Sequence, residues 1–72
     1  MKNQTIFNIT LNGEPYRIAQ GSSVADLVCD IGLNPKKVAV ERNMEIVPRS
    51  TLSDVILGEG DILEIVHFVG GG

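Results

Sequence analysis

Aromatic residues are scarce in this 72-residue sequence, which contains two Phe, one Tyr and no Trp. Aliphatic side chains must therefore fill any core, and an apolar fraction of 43% is sufficient for one compact domain. A chain of this length is near the lower limit for folding without a metal ion or disulfides. We expect a single domain over residues 1–72 with a flexible tail at residues 70–72.

Cysteine and basic clusters are also rare. The single Cys29 has no partner for an internal disulfide, and Cys29 and His67 alone cannot form a structural zinc site. The longest basic run is the pair Lys36-Lys37 and the net charge is −3, which argues against nucleic-acid binding.

No apolar run approaches the ~20 residues that span a bilayer, and the first residues do not form a signal segment. We expect a cytoplasmic protein, monomeric when free, that binds neither nucleic acid nor membranes.

The first twenty residues predict a β-hairpin. Residues 6–11 and 14–19 alternate apolar and polar side chains, which is typical of strands with one buried face. Asn12-Gly13 lies between them and is typical of a type I′ turn. Pro15 lacks a backbone N–H, so we expect the second strand at an edge of the sheet.

A short amphipathic helix follows the hairpin. Ser23 and Asp26 have the spacing of a capping box, and apolar residues recur at helical spacing from Val24 to Ile31. Gly32 is expected to end the helix in a left-handed conformation. Cys29 lies beside the apolar stripe and is expected to be a semi-buried filler.

Three further strands are predicted at residues 38–42, 45–47 and from residue 61 onward. The element order β-β-α-β-β-β predicts an α+β fold, the β-grasp (ubiquitin-like) roll, in which one main helix packs across a mixed sheet. The first and last strands should be parallel, because a right-handed crossover through the helix is the usual connection. The inward-facing positions predict a core of Phe7, Ile9, Leu11, Ile18, Val24, Leu27, Ile31, Val38, Val40, Ile46, Leu63 and Ile65.

The last strand and the glycines after it are the candidate functional segment. Glycine buries no side chain and costs conformational entropy, so three consecutive glycines after Val69 do not serve stability. The alternative is a frayed terminus. If Leu63 and Ile65 face the helix, the other face of the strand is exposed and apolar, which is typical of a protein contact. The residues predicted to bind a partner are Ile62, Glu64, Val66, Phe68, Gly70 and Gly71.

Residues for catalysis are few. His67 has no Ser, Cys or carboxylate at the spacing of a catalytic triad, and the carboxylates are scattered along the chain. Gly58 and Gly60 lack the strand-to-helix context of a phosphate loop. We therefore do not expect an enzyme, a bound cofactor or a metal site.

Several segments resemble the ThiS family of bacterial thiamine-biosynthesis sulfur carriers. They are Asn12-Gly13, Val-Glu-Arg-Asn at residues 40–43, Ile-Val-Pro-Arg at 46–49, Glu-Gly-Asp at 59–61 and Val-His-Phe-Val-Gly-Gly-Gly at 66–72. A diglycine end occurs in all ubiquitin-like carriers, whereas the combination is more specific.

The resemblance implies a function for the tail. Members of the family have a C-terminal glycine that an E1-like adenylating enzyme (ThiF type) joins to AMP with ATP and Mg²⁺. Sulfur from a cysteine desulfurase then converts it to a thiocarboxylate, which supplies thiazole synthase (ThiG type). Carried over, Gly72 is the modified residue, and Gly70 and Gly71 enter the partner.

Two alternatives remain open from the sequence. The first is the related sulfur carrier of molybdopterin synthesis, whose members usually have a Pro-Pro step where this chain has residues 67–69. The second is a β-grasp interaction domain with an inactive tail.

Overall fold

One five-stranded mixed sheet and one helix make up the structure, a computed structural model that describes residues 5–68. The strands are β1 (Ile6–Leu11), β2 (Glu14–Ala19), β3 (Val38–Arg42), β4 (Glu45–Val47) and β5 (Ile62–His67), and their order in the sheet is β2-β1-β5-β3-β4. The helix α1 is Val24–Asp30, and 3₁₀ turns occur at Pro35–Lys37 and Arg49–Thr51. β1 and β5 are parallel, whereas the other neighbours are antiparallel. The predicted β-grasp fold is confirmed.

The hairpin turn has the predicted geometry. Asn12 and Gly13 have φ angles of 50° and 84°, as a type I′ turn requires. This turn matches the right-handed twist of the strands, and it fixes the register in which Leu11 lies opposite Glu14. β2 is an edge strand, as the position of Pro15 predicted.

The helix begins with the predicted capping box. The Asp26 amide donates to Ser23 Oγ at 3.0 Å, and the Ser23 amide donates to Asp26 Oδ2 at 2.9 Å. Gly32 has φ of 85°, which ends the helix, and the Leu33 amide then donates to the Val28 carbonyl. Because seven residues are too few for a stable isolated helix, packing against the sheet must hold α1 in place. No helix within residues 5–68 is long and apolar enough to cross a membrane.

The core lies between α1 and one face of the sheet. Burial of each large aliphatic side chain contributes about 1.5–3 kcal/mol, so aliphatic packing supplies most of the favourable free energy of this aromatic-poor domain. The buried apolar residues are Ile9, Leu11, Ile18, Val24, Leu27, Val28, Val38, Val40, Val47, Leu52, Leu57, Leu63 and Ile65, with Phe7 and Ile31 partly buried.

The expectation that Ile46 belongs to the core is wrong, because its side chain is 79% exposed and Val47 is buried instead. The two-residue turn at Asn43-Met44 places Val47 opposite Val40 and Ile46 opposite Glu41. Directly opposed residues share a face of the sheet. Since Val40 points inward, Val47 does so too.

The expectation for Cys29 is also wrong, because this side chain is exposed. Each helical residue is rotated by about 100° from the one before. Cys29 follows the fully buried Val28 and therefore points away from the sheet.

Leu57, which lies in the loop before β5, is a buried core residue that the sequence pattern did not predict.

Two asparagine side chains hold the central strand β5. Asn12 accepts from the Ile65 amide at 2.8 Å and donates to the Ile65 carbonyl at 3.2 Å, which extends the β1 ladder by one step. On the other edge of β5, Asn43 accepts from the Ile62 amide at 2.9 Å. Both asparagines have positive φ, a conformation that Asn tolerates better than most residues. Asn12 and Asn43 therefore form turns and also provide hydrogen bonds to β5.

Asp61 joins the loop before β5 to the rest of the sheet. Its carboxylate accepts from the Gly58 amide at 2.8 Å, Arg42 Nε at 2.9 Å and Asn43 Nδ2 at 3.1 Å. Only 8% of the residue is exposed. Burial is the largest single influence on the carboxyl and acts to raise its pKa, but these hydrogen bonds and the Arg42 charge together outweigh it and lower the pKa.

Leu63 provides a test of the strand parity. Leu63→Ala removes a fully buried side chain, and we expect it to lower the free energy of unfolding by about 2–5 kcal/mol in chemical denaturation. The matched control is Ile62→Ala, because Ile62 is the next residue along β5 and faces outward. Equal losses for the two variants would contradict the orientation of β5.

Asp61 makes stability depend on pH. Its folded pKa lies below the unfolded value of 3.8, so the unfolded chain binds more protons between these two values and stability falls as the pH drops through that window. Asp61→Asn should cost about 1–3 kcal/mol at neutral pH, because it loses charge-assisted hydrogen bonds, and should flatten the acid limb of the stability profile. Asp54→Asn is the control at an exposed carboxyl. If the stability of Asp61→Asn fell at low pH as steeply as that of the natural chain, Asp61 would not be the source of the pH dependence.

Candidate functional site

The last strand leads directly to the glycine segment. β5 lies between β1 and β3, and its final ladder pair is His67 with Val38. The Phe68 amide then donates to the Lys37 carbonyl at 2.8 Å. The predicted site residues Gly70, Gly71 and Gly72 lie outside the described residues. The described part of the chain ends at Phe68. We call Phe68 and the residues around it, Lys36, Lys37 and Arg49, the tail exit.

The sheet face opposite the helix is exposed and largely apolar. Ile62, Glu64 and Val66 of β5 point to this side, and the two apolar residues are 51% and 61% exposed. Their predicted exposure is confirmed, whereas their contact with a partner stays a prediction. With Ala39 and Glu41 of β3 and Ile46 of β4 they form what we call the outer face, which has a shallow groove of about 160 Å³.

Two carboxylates meet at the middle of the outer face. Glu41 and Glu64 are directly opposed across the β3–β5 ladder. Like charges in this arrangement destabilise a sheet, and within residues 5–68 neither forms an ion pair. A partner that placed a cation here would relieve the repulsion.

Phe68 lies beyond the end of β5 and was predicted to share the exposed patch with Val66. Its side chain is 47% exposed and the ring faces Arg49, whose guanidinium carbon is 5.9 Å from the ring centroid. This is within the distance of a cation–π interaction. The predicted exposure of Phe68 is confirmed, whereas its contact with a partner stays a prediction. Because its ring faces Arg49, we group it with the tail exit.

Arg49 connects three chain segments at the tail exit. Its Nη1 donates to the Lys36 carbonyl at 2.9 Å while its guanidinium contacts Phe68. A cavity of about 450 Å³ lies beside Lys36 and Arg49 and is also lined by the hydroxyl residues Ser50 and Ser53. Sequence reasoning missed this cluster, because Arg49 is twelve or more positions distant from both of the segments it contacts. The only local signal was the Lys36-Lys37 pair.

No cluster of metal-binding side chains occurs in the part of the chain that the structure describes. There, no group of three His, Cys, Asp or Glu side chains is placed to hold a metal ion. Cys29 and His67 are both exposed, and neither has a side-chain hydrogen bond among the described residues. What the described residues present is an exposed, largely apolar outer face and a group of basic residues around Phe68.

Known proteins provide an independent comparison. A thiazole synthase of Magnetococcus marinus is 48% identical over 64 residues, which are 89% of this chain and 20% of that protein. A thiazole synthase of Paramagnetospirillum magneticum is 45% identical over a similar stretch. The chain therefore spans about a fifth of the length of these two relatives.

Smaller relatives match over nearly their whole length. The sulfur carrier protein ThiS of Bacillus subtilis is 40% identical over 65 residues, which are 89% of this chain and 98% of that protein. The crystal structure of the thiamine biosynthesis protein ThiS from Geobacter metallireducens superposes with a TM-score of 0.76 and 30% identity, over 92% of this chain and all of that one.

A sequence profile of the ThiS family matches residues 9–72 and thus includes the second half of β1, the outer face, the tail exit and the three glycines. The fold and the Bacillus and Geobacter relatives agree with this match. The chain belongs to the ThiS family, whose Bacillus subtilis member is a sulfur carrier protein.

Proposed function

We propose that this chain is a sulfur carrier in thiamine biosynthesis and that Gly72 carries the sulfur as a thiocarboxylate. The observation that supports this most is the family match, which continues through the glycine segment to residue 72. A second support is the matching Bacillus carrier, because this chain spans 98% of its length. In this proposal residues 1–72 are one domain, with residues 70–72 as its tail.

Activation of the tail explains why the chain needs no catalytic residues. A carboxylate is a weak electrophile at neutral pH. An E1-like adenylating enzyme of the ThiF type joins a carboxylate oxygen of Gly72 to the α-phosphorus of ATP and releases pyrophosphate. A persulfide derived from a cysteine desulfurase then attacks the acyl carbon and displaces AMP. A thiol cleaves the S–S bond of the resulting acyl disulfide, which leaves the thiocarboxylate and a disulfide. Glycine suits this chemistry because it has no side chain to hinder the attacking sulfur.

The partner supplies the catalytic groups. It holds ATP and Mg²⁺ and provides the electrostatic stabilisation that the developing charge needs. This chain is consumed and regenerated as a cosubstrate. A thiazole synthase of the ThiG type takes the sulfur, a proposal supported by the two thiazole synthases that contain a segment similar to this chain.

The outer face and the tail have separate roles in this proposal. Ile62, Glu64 and Val66 dock on the partner, while Gly70 and Gly71 pass through a channel too narrow for side chains. β5 connects the two, since it carries Ile62, Glu64 and Val66 of the outer face and is followed directly by Phe68 of the tail exit. Docking of the outer face therefore fixes the position from which the tail enters.

The tail is tested by shortening and by lengthening it. Removal of Gly71 and Gly72 should change the free energy of unfolding by no more than about 0.5 kcal/mol, as for surface changes, and should abolish sulfur transfer to thiazole synthase. A chain with residues added after Gly72 should likewise keep its free energy of unfolding and lose sulfur transfer. Intact mass after incubation with ATP, the adenylating enzyme and the sulfur donor should show one oxygen replaced by sulfur in the natural chain only.

Gly71→Val is a finer test of the channel because it keeps the length of the tail. Adenylation, followed by ATP–pyrophosphate exchange, should slow, and circular dichroism should show an intact fold. Gly71→Ala is the matched control and should lose less activity. Full sulfur transfer by the truncated chain would end the carrier proposal and leave a β-grasp interaction domain.

The outer face is tested with two isoleucines that are equally exposed. Ile62 is 51% exposed on the outer face, and Ile56 is 52% exposed in the loop that pairs with Ser23 beside the helix. Burial of the remaining half of an isoleucine contributes about 1 kcal/mol, so Ile62→Ser should weaken binding to thiazole synthase roughly 5-fold. Ile56→Ser should leave affinity unchanged. Equal effects in calorimetric titration would show that the outer face is not the docking surface.

A further inference from the structure

The basic residues of this acidic protein are unevenly distributed. Residues 5–68 contain five Lys and Arg, and three of them (Lys36, Lys37 and Arg49) lie at the tail exit. The other two are Arg17 on β2 and Arg42, which is paired with Asp61. The net charge of the whole chain is −3. A local excess of positive charge therefore surrounds Phe68, the last described residue before the tail.

Backbone contacts fix this cluster around Phe68. The Lys37 carbonyl accepts from the Phe68 amide, and the Lys36 carbonyl accepts from Arg49 Nη1. The Arg49 guanidinium also contacts the Phe68 ring. These contacts use carbonyl groups and one of the five N–H donors of Arg49. Both lysine ammonium groups and most of the arginine fork therefore remain available to a ligand.

The charges of the cluster are not neutralised within the described part of the protein. There, Arg42–Asp61 is the one ion pair, and neither lysine nor Arg49 forms another. The cavity beside Lys36 and Arg49 has no carboxylate in its lining. Lys36 and Lys37 are exposed, so the field of the cluster extends into solvent.

Negative charge lies on β5, the strand that leads to Phe68. Glu41 and Glu64 meet on the outer face, and Glu64 is four residues before Phe68, about 13 Å at the usual rise of a strand. A partner that covers both surfaces meets an acidic pair at one position and a basic cluster at the next. A partner with complementary charges would therefore bind the sheet in one orientation along β5 and not in the reverse orientation.

The length of the tail determines which anion the cluster can meet. Four residues, 69–72, extend at most about 14 Å. A tail that is threaded into a narrow channel must be nearly extended, so its reacting carboxylate lies far from Lys37. Phosphates at the reaction centre are then out of reach, whereas the surface at the channel entrance is adjacent to the cluster.

We propose that Lys36, Lys37 and Arg49 dock on an acidic rim at the entrance of the thiazole synthase channel that receives the tail. The inference rests on the proposed function and adds the chemistry of one contact to it. The carboxylates of the rim pair with the two ammonium groups and with the free edge of the Arg49 guanidinium. The same attraction steers the tail toward the channel before close contact is made.

The test is the rate of association with the thiazole synthase of the same organism, measured by stopped-flow without nucleotide. Lys36→Glu and Lys37→Glu should each slow association about 3–10-fold at low ionic strength, because charges near the edge of an interface act mainly on the association rate. The difference should largely disappear at ~1 M salt, where the Debye length is about 3 Å. Lys37→Arg keeps the charge and should behave as the natural chain.

Arg17→Glu is the matched control, since it makes the same change in charge at an exposed position on β2. Its association rate should stay close to that of the natural chain. Equal slowing in Arg17→Glu and Lys37→Glu would indicate an effect of net charge alone and would overturn the inference. Unchanged rates in both lysine variants would overturn it too and leave sulfur transfer by the natural chain intact. If the natural chain neither binds thiazole synthase nor transfers sulfur, the proposed function fails and the inference fails with it.

Discussion

The structure depends on the pairing of β5 along both of its edges. This strand is the last to be added in sequence, yet it is central in the sheet and carries the buried Leu63 and Ile65. Its ladder with β1 includes only two strand pairs, Thr10 with Ile62 and Leu11 with Leu63. Asn12 extends that ladder with both groups of its side-chain amide. Beside β3, the Asn43 side-chain oxygen accepts from the Ile62 amide and the Asn43 backbone amide donates to the Ile62 carbonyl. Turn residues thus provide the hydrogen bonds that the short strands cannot.

Two carboxylates hold the loop that precedes β5. Glu59 accepts from the Asn8 amide, and the buried Asp61 accepts from the Gly58 amide, Arg42 and Asn43, which orients the first residues of the strand. A buried carboxylate is tolerated only when several donors compensate for its lost hydration. The start of β5 is therefore fixed by polar contacts, its middle by the core, and its end by Phe68, Lys37 and Arg49.

This rigidity has a consequence for function. A carrier whose reactive group lies at the end of a short tail must present that tail in a defined direction, since a small misplacement at the reacting atom is costly. In the proposed function, the hydrophobic positions of the outer face supply affinity and the charged groups supply orientation. Glu41 and Glu64 are directly opposed across the β3–β5 ladder, an arrangement of like charges that disfavours a sheet. In the proposed function, binding of the outer face would relieve this cost.

The sequence by itself determined the order of the elements, the hairpin, the capping box and the inward face of β5, because these follow from local periodicity and turn chemistry. It also carried the family resemblance, since the matching segments are short and contiguous. It could not determine the parity of β4, because three residues show no clear alternation, and the register with β3 made Val47 inward and Ile46 outward. Nor could it reveal the role of Asn12 as a ladder residue or the cluster of Lys36, Lys37 and Arg49 around Phe68. Those features depend on contacts between segments distant in the chain, and only the tertiary structure brings them together.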